Sequence, residues 1–419
     1  MDTESVTSEP GTDHTREVLH DDTNFILHVS QFFNKQDLSD VKIKVGEQNY
    51  YGHKFVLAKS SDVFRTMLYG DGWVQGDETD LILNETEECQ HVFDTFLKFM
   101  YTAEVAVSVD TAVGILCLAD KYNVTSLKEI CVSYMIRNTQ SPRVHNALHW
   151  YNWAKALNLQ DLVDSCTKTI AWNLEAILGL AEWNNMDMPF IKDILNNSGL
   201  VVGNEYLLFK GLTTWLMFES HRPNLRENSA ALLPLIRFPQ MLVSQLYSIE
   251  QSPFFDMEET AGVIKELVSK AYRYRSLCPT QSALEVTFDS EFYRPRNYMD
   301  LAVDSVLMQN TLRFGIQVDV RTYAGPVVSE NRSGEWKITY RKHDTSWSIN
   351  LFCHESAMMQ GEAYIEVAVI IYNADDKVIQ VDMMPPTACT RSNNVSLNVD
   401  VNNVTASKNM VLLIKPVPH

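Results

Sequence analysis

The residues best equipped for chemistry lie in Gly52–Leu68, GHKFVLAKSSDVFRTML, where His53 shares a short stretch with Ser60, Ser61, Thr66 and the carboxylate of Asp62. A histidine, a hydroxyl and an acid are the parts of a hydrolytic triad. Leu57, Ser61 and Phe64 follow His53 at helical spacing, however. A histidine at a strand-to-helix junction more often satisfies buried backbone groups than moves protons, so a structural role is expected for His53. In HNALH, His145 and His149 stand four apart on a helix, the spacing that lets two imidazoles grip zinc. No glutamate follows the first histidine and no third ligand is near, so no metal is expected. Asp375-Asp376 and Asp21-Asp22 read as solvated acid pairs in a turn and in the N-terminal segment, rather than as the two carboxylates of a glycosidase. The glycine patterns GxGxxG, GxxxxGK[ST] and GxSxG do not occur, which removes the minimum parts of nucleotide-binding loops and nucleophile elbows. Arg294 and Arg296 flank Pro295 in FYRPRNY and, beside Tyr293 and Tyr298, could receive an acidic peptide or pin an interdomain linker. No catalytic residue and no cofactor site is expected.

The elements that must position these residues fall into several domains, because 419 residues exceed what one hydrophobic core serves. A hydrophobic content of 45% is ample for packed cores. The net charge of −18 opposes binding to a phosphate backbone, so no nucleic-acid partner is expected. Seven cysteines without a CxxC pair, several inside apolar helical runs, read as reduced thiols. Residues 1–22 are acidic and poor in large apolar side chains, the composition of a disordered leader rather than of a signal peptide. The apolar runs are too short to span a bilayer, and a cytoplasmic protein is expected. Six N-x-S/T sequons, starting at Asn84, Asn123, Asn196, Asn331, Asn394 and Asn403, are then inert.

Three patterned regions follow. Residues 23–138 mix strands and helices, with DVKIKV alternating Val41, Ile43 and Val45 onto one face. Residues 139–275 read as short helices punctuated by proline, with Trp150, Trp153 and Leu157 on one stripe. A linker is expected at 276–283. From 284 to 419 the period drops to two, and SWSINLFC, VSLNVDV and the pair joined through NADD argue for an antiparallel sandwich.

The distributed signature of Asp40 before a strand, His53-xxx-Leu57-xxx-Ser61-xx-Phe64, Tyr101-Thr102 and Ala119-Asp120-Lys121-Tyr122 resembles a BTB/POZ domain from end to end. The helical region, through LVVGNEYLLFKGLTTWL and IRFPQM, resembles the BACK domain that commonly follows it. AWNL, AYRY, FYRPRNY and LLIKPV are similar to a subgroup of these proteins with a TRAF-like C-terminal sandwich. The resemblance implies an α+β BTB/POZ domain, an all-α BACK domain and an all-β sandwich, with Asp40, His53, Leu57 and Phe64 in the BTB core. Vertebrate members of that subgroup begin with a hydrophobic signal sequence, so relatives are expected to be secreted where this chain is not.

The resemblance also implies partners. BTB domains dimerise through their N-terminal helix, which here offers Phe25, Leu27, Phe32 and Phe33 to a second copy. Many BTB-BACK proteins bind cullin-3 as ubiquitin-ligase adaptors, and Tyr69, Trp73, Gln75 and Tyr101 occupy the corresponding positions. Adaptors often carry a hydrophobic-x-Glu signature where this chain has Trp73-Val74-Gln75. A hydrogen bond to a charged acceptor is worth about 1.5–3 kcal/mol against roughly 1 for a neutral one, so Gln75 would weaken cullin-3 binding without forbidding it. The sandwich would capture a client protein, with Arg294 and Arg296 as candidate contacts. The competing expectation is a non-degradative scaffold that makes no cullin contact.

Overall fold

The computed structural model describes residues 22–70, 80–139, 146–197, 199–277, 288, 290–300, 306–308, 317–322, 336–342, 346–353, 362–390, 395–400 and 407–416. The chain divides into two compact units, Met1–Tyr134 and Met135–His419.

The first unit begins with helix α1 (Asp22–Ser30) and a three-stranded sheet of β1 (Val41–Val45), β2 (Gln48–Gly52) and β3 (Asp80–Leu83), in the order β2-β1-β3. The alternation read from the sequence is realised, since Val41, Ile43 and Val45 are buried between outward-facing lysines. Strand β2 returns antiparallel through Gly46, whose φ of +56° favours glycine, whereas β3 pairs parallel to β1. Helices α2 (Lys54–Ser60) and α3 (Asp62–Tyr69) meet at Ser61. Its hydroxyl accepts the Phe64 amide and donates to the Tyr122 carbonyl, tying the α3 N-cap to the end of helix α5 (Ala112–Lys121). Phe64 stacks on the Tyr122 ring at 4.5 Å. Helix α4 (Glu87–Thr102) adds Phe93, Phe96 and Leu97 to that core, each fully buried and worth roughly 1.5–3 kcal/mol in removed apolar surface. Helix α6 (Thr125–Asn138) follows α5.

The second unit opens with helices α7 (Asn146–Ala156), α8 (Gln160–Trp172), α9 (Leu174–Leu178), α10 (Ala181–Asn184) and α11 (Met188–Asn196). Strand β4 (Val201–Val202) leads into α12 (Glu205–Met217), and α13 (Leu225–Leu232), α14 (Val243–Glu250), α15 (Pro253–Asp256) and α16 (Ala261–Leu277) complete the helical part. Helix α7 buries Trp150, Tyr151 and Ala154, so its inner stripe is rotated from the expected one and leaves Trp153 and Leu157 partly exposed. Asn204 caps α12 by accepting the Leu207 amide. Buried Trp183 and Trp215 donate their indole N–H groups to the carbonyls of Gly211 and Met186, which is how an aromatic of that size is accommodated without an orphan donor. Helix α16 runs through Ser276 and Leu277, where a linker was expected to have begun.

The period-two region forms two four-stranded sheets. After the short β5 (Asn297–Tyr298) come β6 (Val306–Met308), β7 (Gln317–Thr322), β8 (Trp336–Lys342), β9 (Ser346–Cys353), β10 (Glu362–Asn373), β11 (Val378–Thr390), β12 (Val395–Asp400) and β13 (Ser407–Pro416). Their orders are β11-β10-β13-β7 and β12-β9-β8-β6. The β10–β11 hairpin turns where NADD predicted it, with Asp376 at φ 56° and Asn373 Oδ1 accepting the amides of Asp375 and Lys377. Trp347, Ile349 and Leu351 from one sheet and Val367, Val369, Leu412 and Ile414 from the other share a single core. Both sheets are mixed rather than purely antiparallel, because β13 pairs parallel to β7 and β6 parallel to β8. Such pairs join strands distant in sequence, which an alternation pattern cannot register. At the free side of β11, the Asn173 side chain donates to the Val378 carbonyl and accepts the Val378 amide at 3.1 and 3.0 Å.

Candidate interaction site

On the first unit a groove of about 480 Å³ lies between α1, the segment at Leu38–Asp40, α2 and the end of α4. Its lining is mostly apolar, and of that lining Leu38 and Phe55 are each 73% exposed and Ile26 38%. Leaving side chains of that size in water forfeits roughly 1.5–3 kcal/mol apiece relative to burial, so a contiguous set marks a surface built to be covered. Asp40 and Lys59 supply charge at the groove.

Below the groove, His53 is held at three points. Its backbone N–H donates to the Tyr101 hydroxyl at 3.1 Å, its Nδ1 lies 3.0 Å from that hydroxyl, and its Nε2 is 3.1 Å from the Asp37 carbonyl. A carbonyl can only accept, so Nε2 carries hydrogen and the neutral ring receives the Tyr101 O–H at Nδ1. Asp40 reaches across to accept the Lys54 amide at 2.7 Å, satisfying a first-turn donor of α2. Both ring nitrogens are thus spent on architecture, and the hydroxyls of Ser61 and Thr66 are bonded to backbone partners away from the imidazole. Burial pushes the Tyr101 hydroxyl up to about 12, against the pull of the His53 amide.

The expected site residues separate clearly. Leu27 is exposed, but Phe32 and Phe33 turn edge-on to His53 and Tyr101 and are partly covered by their own unit. The Phe25 side chain lies outside the described residues. Ile26, Leu38 and Phe55, which the sequence reading did not single out, are exposed apolar side chains that line the groove together with Phe32. Leu57 and Phe64 are fully buried as expected, whereas Asp40 stays exposed while acting as a cap. Tyr69, at 61% exposure, is open to a partner. Tyr101 is not: at 3% exposure, under Phe33 and His53, it cannot be a direct cullin contact. Trp73 and Gln75 lie outside the described residues, as does His145, and His149 is exposed. Among the described residues no group of three or more histidine, cysteine, aspartate or glutamate side chains is placed to hold a metal ion.

Arg296 takes the pinning role of the two expected for it, although its partners lie in the helices. Its guanidinium is 2% exposed, and its three nitrogens reach Glu205 Oε1, the Leu195 carbonyl and the Leu235 carbonyl, each at 2.7 Å. Buried and bonded through all three nitrogens, it pins the segment 290–300 to the helices. Tyr298 donates to the same carboxylate, and burial followed by the Glu205 charge holds its hydroxyl well above the ordinary range. Arg294 is half-buried, paired with Glu291 three residues away, and its carbonyl accepts from Arg237. Buried Lys415 of β13 bonds Asn297 and Glu366, and burial lowers its ammonium pKa.

The chain carries a BTB/POZ domain followed by a BACK domain. The BTB/POZ domain family matches residues 29–139, and the family described as BTB And C-terminal Kelch (BACK) matches residues 147–251. Among relatives, mouse BTB/POZ domain-containing protein 17 is 28% identical over 278 residues, which are 66% of this chain and 56% of that one. Its Xenopus laevis counterpart is 25% identical over 342 residues, 80% of this chain and 70% of its own. Mouse galectin-3-binding protein is 26% identical over 293 residues, 68% of this chain and 49% of its own. The chain therefore spans about half to seven tenths of the relatives it matches. Among the described residues, no helix is long and apolar enough to cross a membrane.

Proposed function

We propose that this chain is a non-catalytic protein-interaction scaffold that pairs with a second copy of itself through the groove between α1, Leu38 and α2. The observation that carries the reading is the exposure of Ile26, Leu38 and Phe55 in that groove. A two-fold contact places the same patch on both subunits, so one apolar surface suffices. The dimer then acts as a substrate adaptor of a cullin-3 ubiquitin ligase. Tyr69 and the residues Trp73–Gln75 contact the cullin, and the C-terminal sandwich, TRAF-like in its resemblance, holds the client. The buried, unpaired thiols of Cys89, Cys131 and Cys166 favour a reducing compartment such as the cytoplasm. The test is capture of the purified chain on the N-terminal part of cullin-3, with its mass in solution measured in parallel. An intact dimer that fails to bind would remove the adaptor role and leave the scaffold.

The neutral amide of Gln75, together with the similarity to a protein named for binding galectin-3, favours a second reading. In it the same dimer is a non-degradative scaffold, secreted in some relatives, that presents the sandwich without a cullin.

A further inference from the structure

Helices α4 and α5 come closer than side chains ordinarily allow. A Cβ on Gly114 would stand 2.8 Å from both the Glu88 carbonyl oxygen and Val92 Cγ2, so glycine is what permits the approach. Two cysteines flank this point. Cys89 lies in the first turn of α4 and sends its Sγ 3.8 Å to the Gly114 carbonyl. Cys117 lies three residues beyond Gly114 on the same face of α5, one turn from the carbonyl that Cys89 reaches, and its thiol is the largest influence on the Cys89 titration. Both are free thiols, Cys89 buried and Cys117 partly open to solvent. We infer that Cys89 and Cys117 form an oxidisable dithiol within the BTB domain, closed to an intramolecular disulfide by hydrogen peroxide.

The setting favours one thiolate at neutral pH. The Cys117 thiol and the Thr86 hydroxyl draw Cys89 down to about 7, against the opposing effects of burial and Glu85, and Lys121 adds a weaker pull. Cys117 is driven upward by Cys89, by burial and by Glu88 and Asp120, so it keeps its proton. By contrast, burial alone pushes Cys131 and Cys166 up to about 12. A low-pKa thiol beside a second thiol is the arrangement of a sensor with its resolving partner. In the first step the Cys89 thiolate attacks one peroxide oxygen and the O–O bond breaks. This gives a sulfenic acid on Cys89 and a hydroxide that leaves as water. In the second step the Cys117 sulfur attacks the Cys89 sulfur, the S–O bond breaks, and the departing hydroxide takes the Cys117 proton. Two thiols and one peroxide become one disulfide and two waters.

Peptide mapping of the reduced full-length chain, treated with increasing hydrogen peroxide and digested without reductant, tests this. A linked pair of peptides containing Cys89 and Cys117 should be the first product, with a loss of two hydrogens from the intact mass. It should form ahead of any change at Cys131 or Cys166, and faster as pH rises through about 7. Thiols persisting at Cys89 and Cys117 while Cys131 or Cys166 oxidises would overturn the inference. So would sulfenic acid accumulating at Cys89 with no linked product. In Cys117→Ser, Cys89 should instead hold a sulfenic acid that dimedone traps; the wild-type map decides the matter if that variant does not fold.

Discussion

Arg296 Nε lies 2.7 Å from Glu205 Oε1, and neither side chain is more than 1% exposed. The pair joins the first turn of α12 to a segment 91 residues further along the chain. Removing one member strands the other charge in a low dielectric, which typically costs about 3–5 kcal/mol. Glu205→Gln should therefore lower the thermal midpoint of the full chain by many degrees. Arg294→Ala, which breaks a partly exposed pair within one turn, should shift it by little. Differential scanning calorimetry on the two variants separates them, and equal shifts would contradict the network.

Covering the groove of the BTB domain should depend on the side chains it exposes. Ile26→Glu combined with Phe55→Glu places carboxylates where apolar surface would meet apolar surface, and self-association should fall by about a hundredfold or more. Analytical ultracentrifugation reads the change directly. A double variant that sediments as the wild type does at every concentration excludes this surface as the contact.

Gln75→Glu should tighten binding to the N-terminal part of cullin-3 by about tenfold, the difference between a neutral and a charged acceptor. Isothermal titration calorimetry on both chains gives the ratio. An unchanged affinity would remove Gln75 from the contact.

Alkaline stability should report on Tyr101. Its hydroxyl ionises at about 12 in the fold against 10.0 when free, so the folded state holds the proton more tightly. That preference is fully present below pH 10 and is lost as pH rises through 12. It is worth about 2–3 kcal/mol by linkage. Denaturant midpoints measured between pH 9 and 12 should fall in the wild type and fall less in Tyr101→Phe.

Substituting Gly114 should be costly at any size. Gly114→Ala puts a methyl group 2.8 Å from a backbone carbonyl, and overpacking of this kind costs about 1–3 kcal/mol. Urea denaturation of the variant would show the loss.

Sequence periodicity carried the strands well wherever one face is buried. Trp347, Ile349 and Leu351 of β9 point inward as alternation required, and so do Val395 and Val399 of β12. The BTB signature likewise led to buried Leu57 and Phe64 and to a His53 engaged in holding the fold. The choice between the two roles of Arg296 was not legible because it rests on Glu205, and no local pattern announces a partner so distant in the chain. Tyr101 was misread because burial is a property of neighbours: Phe33 and His53 cover it from other elements. The parallel pairs β13–β7 and β6–β8 were invisible for a related reason, since alternation gives the face of a strand but not its neighbour.

The side chain of Asn173 treats Val378 as one strand residue treats another, giving and receiving a backbone hydrogen bond at the rim of the sheet. Outermost strands are where β proteins grow into one another, because unpaired amides recruit any extended segment that drifts past. By occupying the start of β11, an amide borrowed from a helix end closes that point to strangers. The helical half of this unit thus shields one end of the sheet edge beside it.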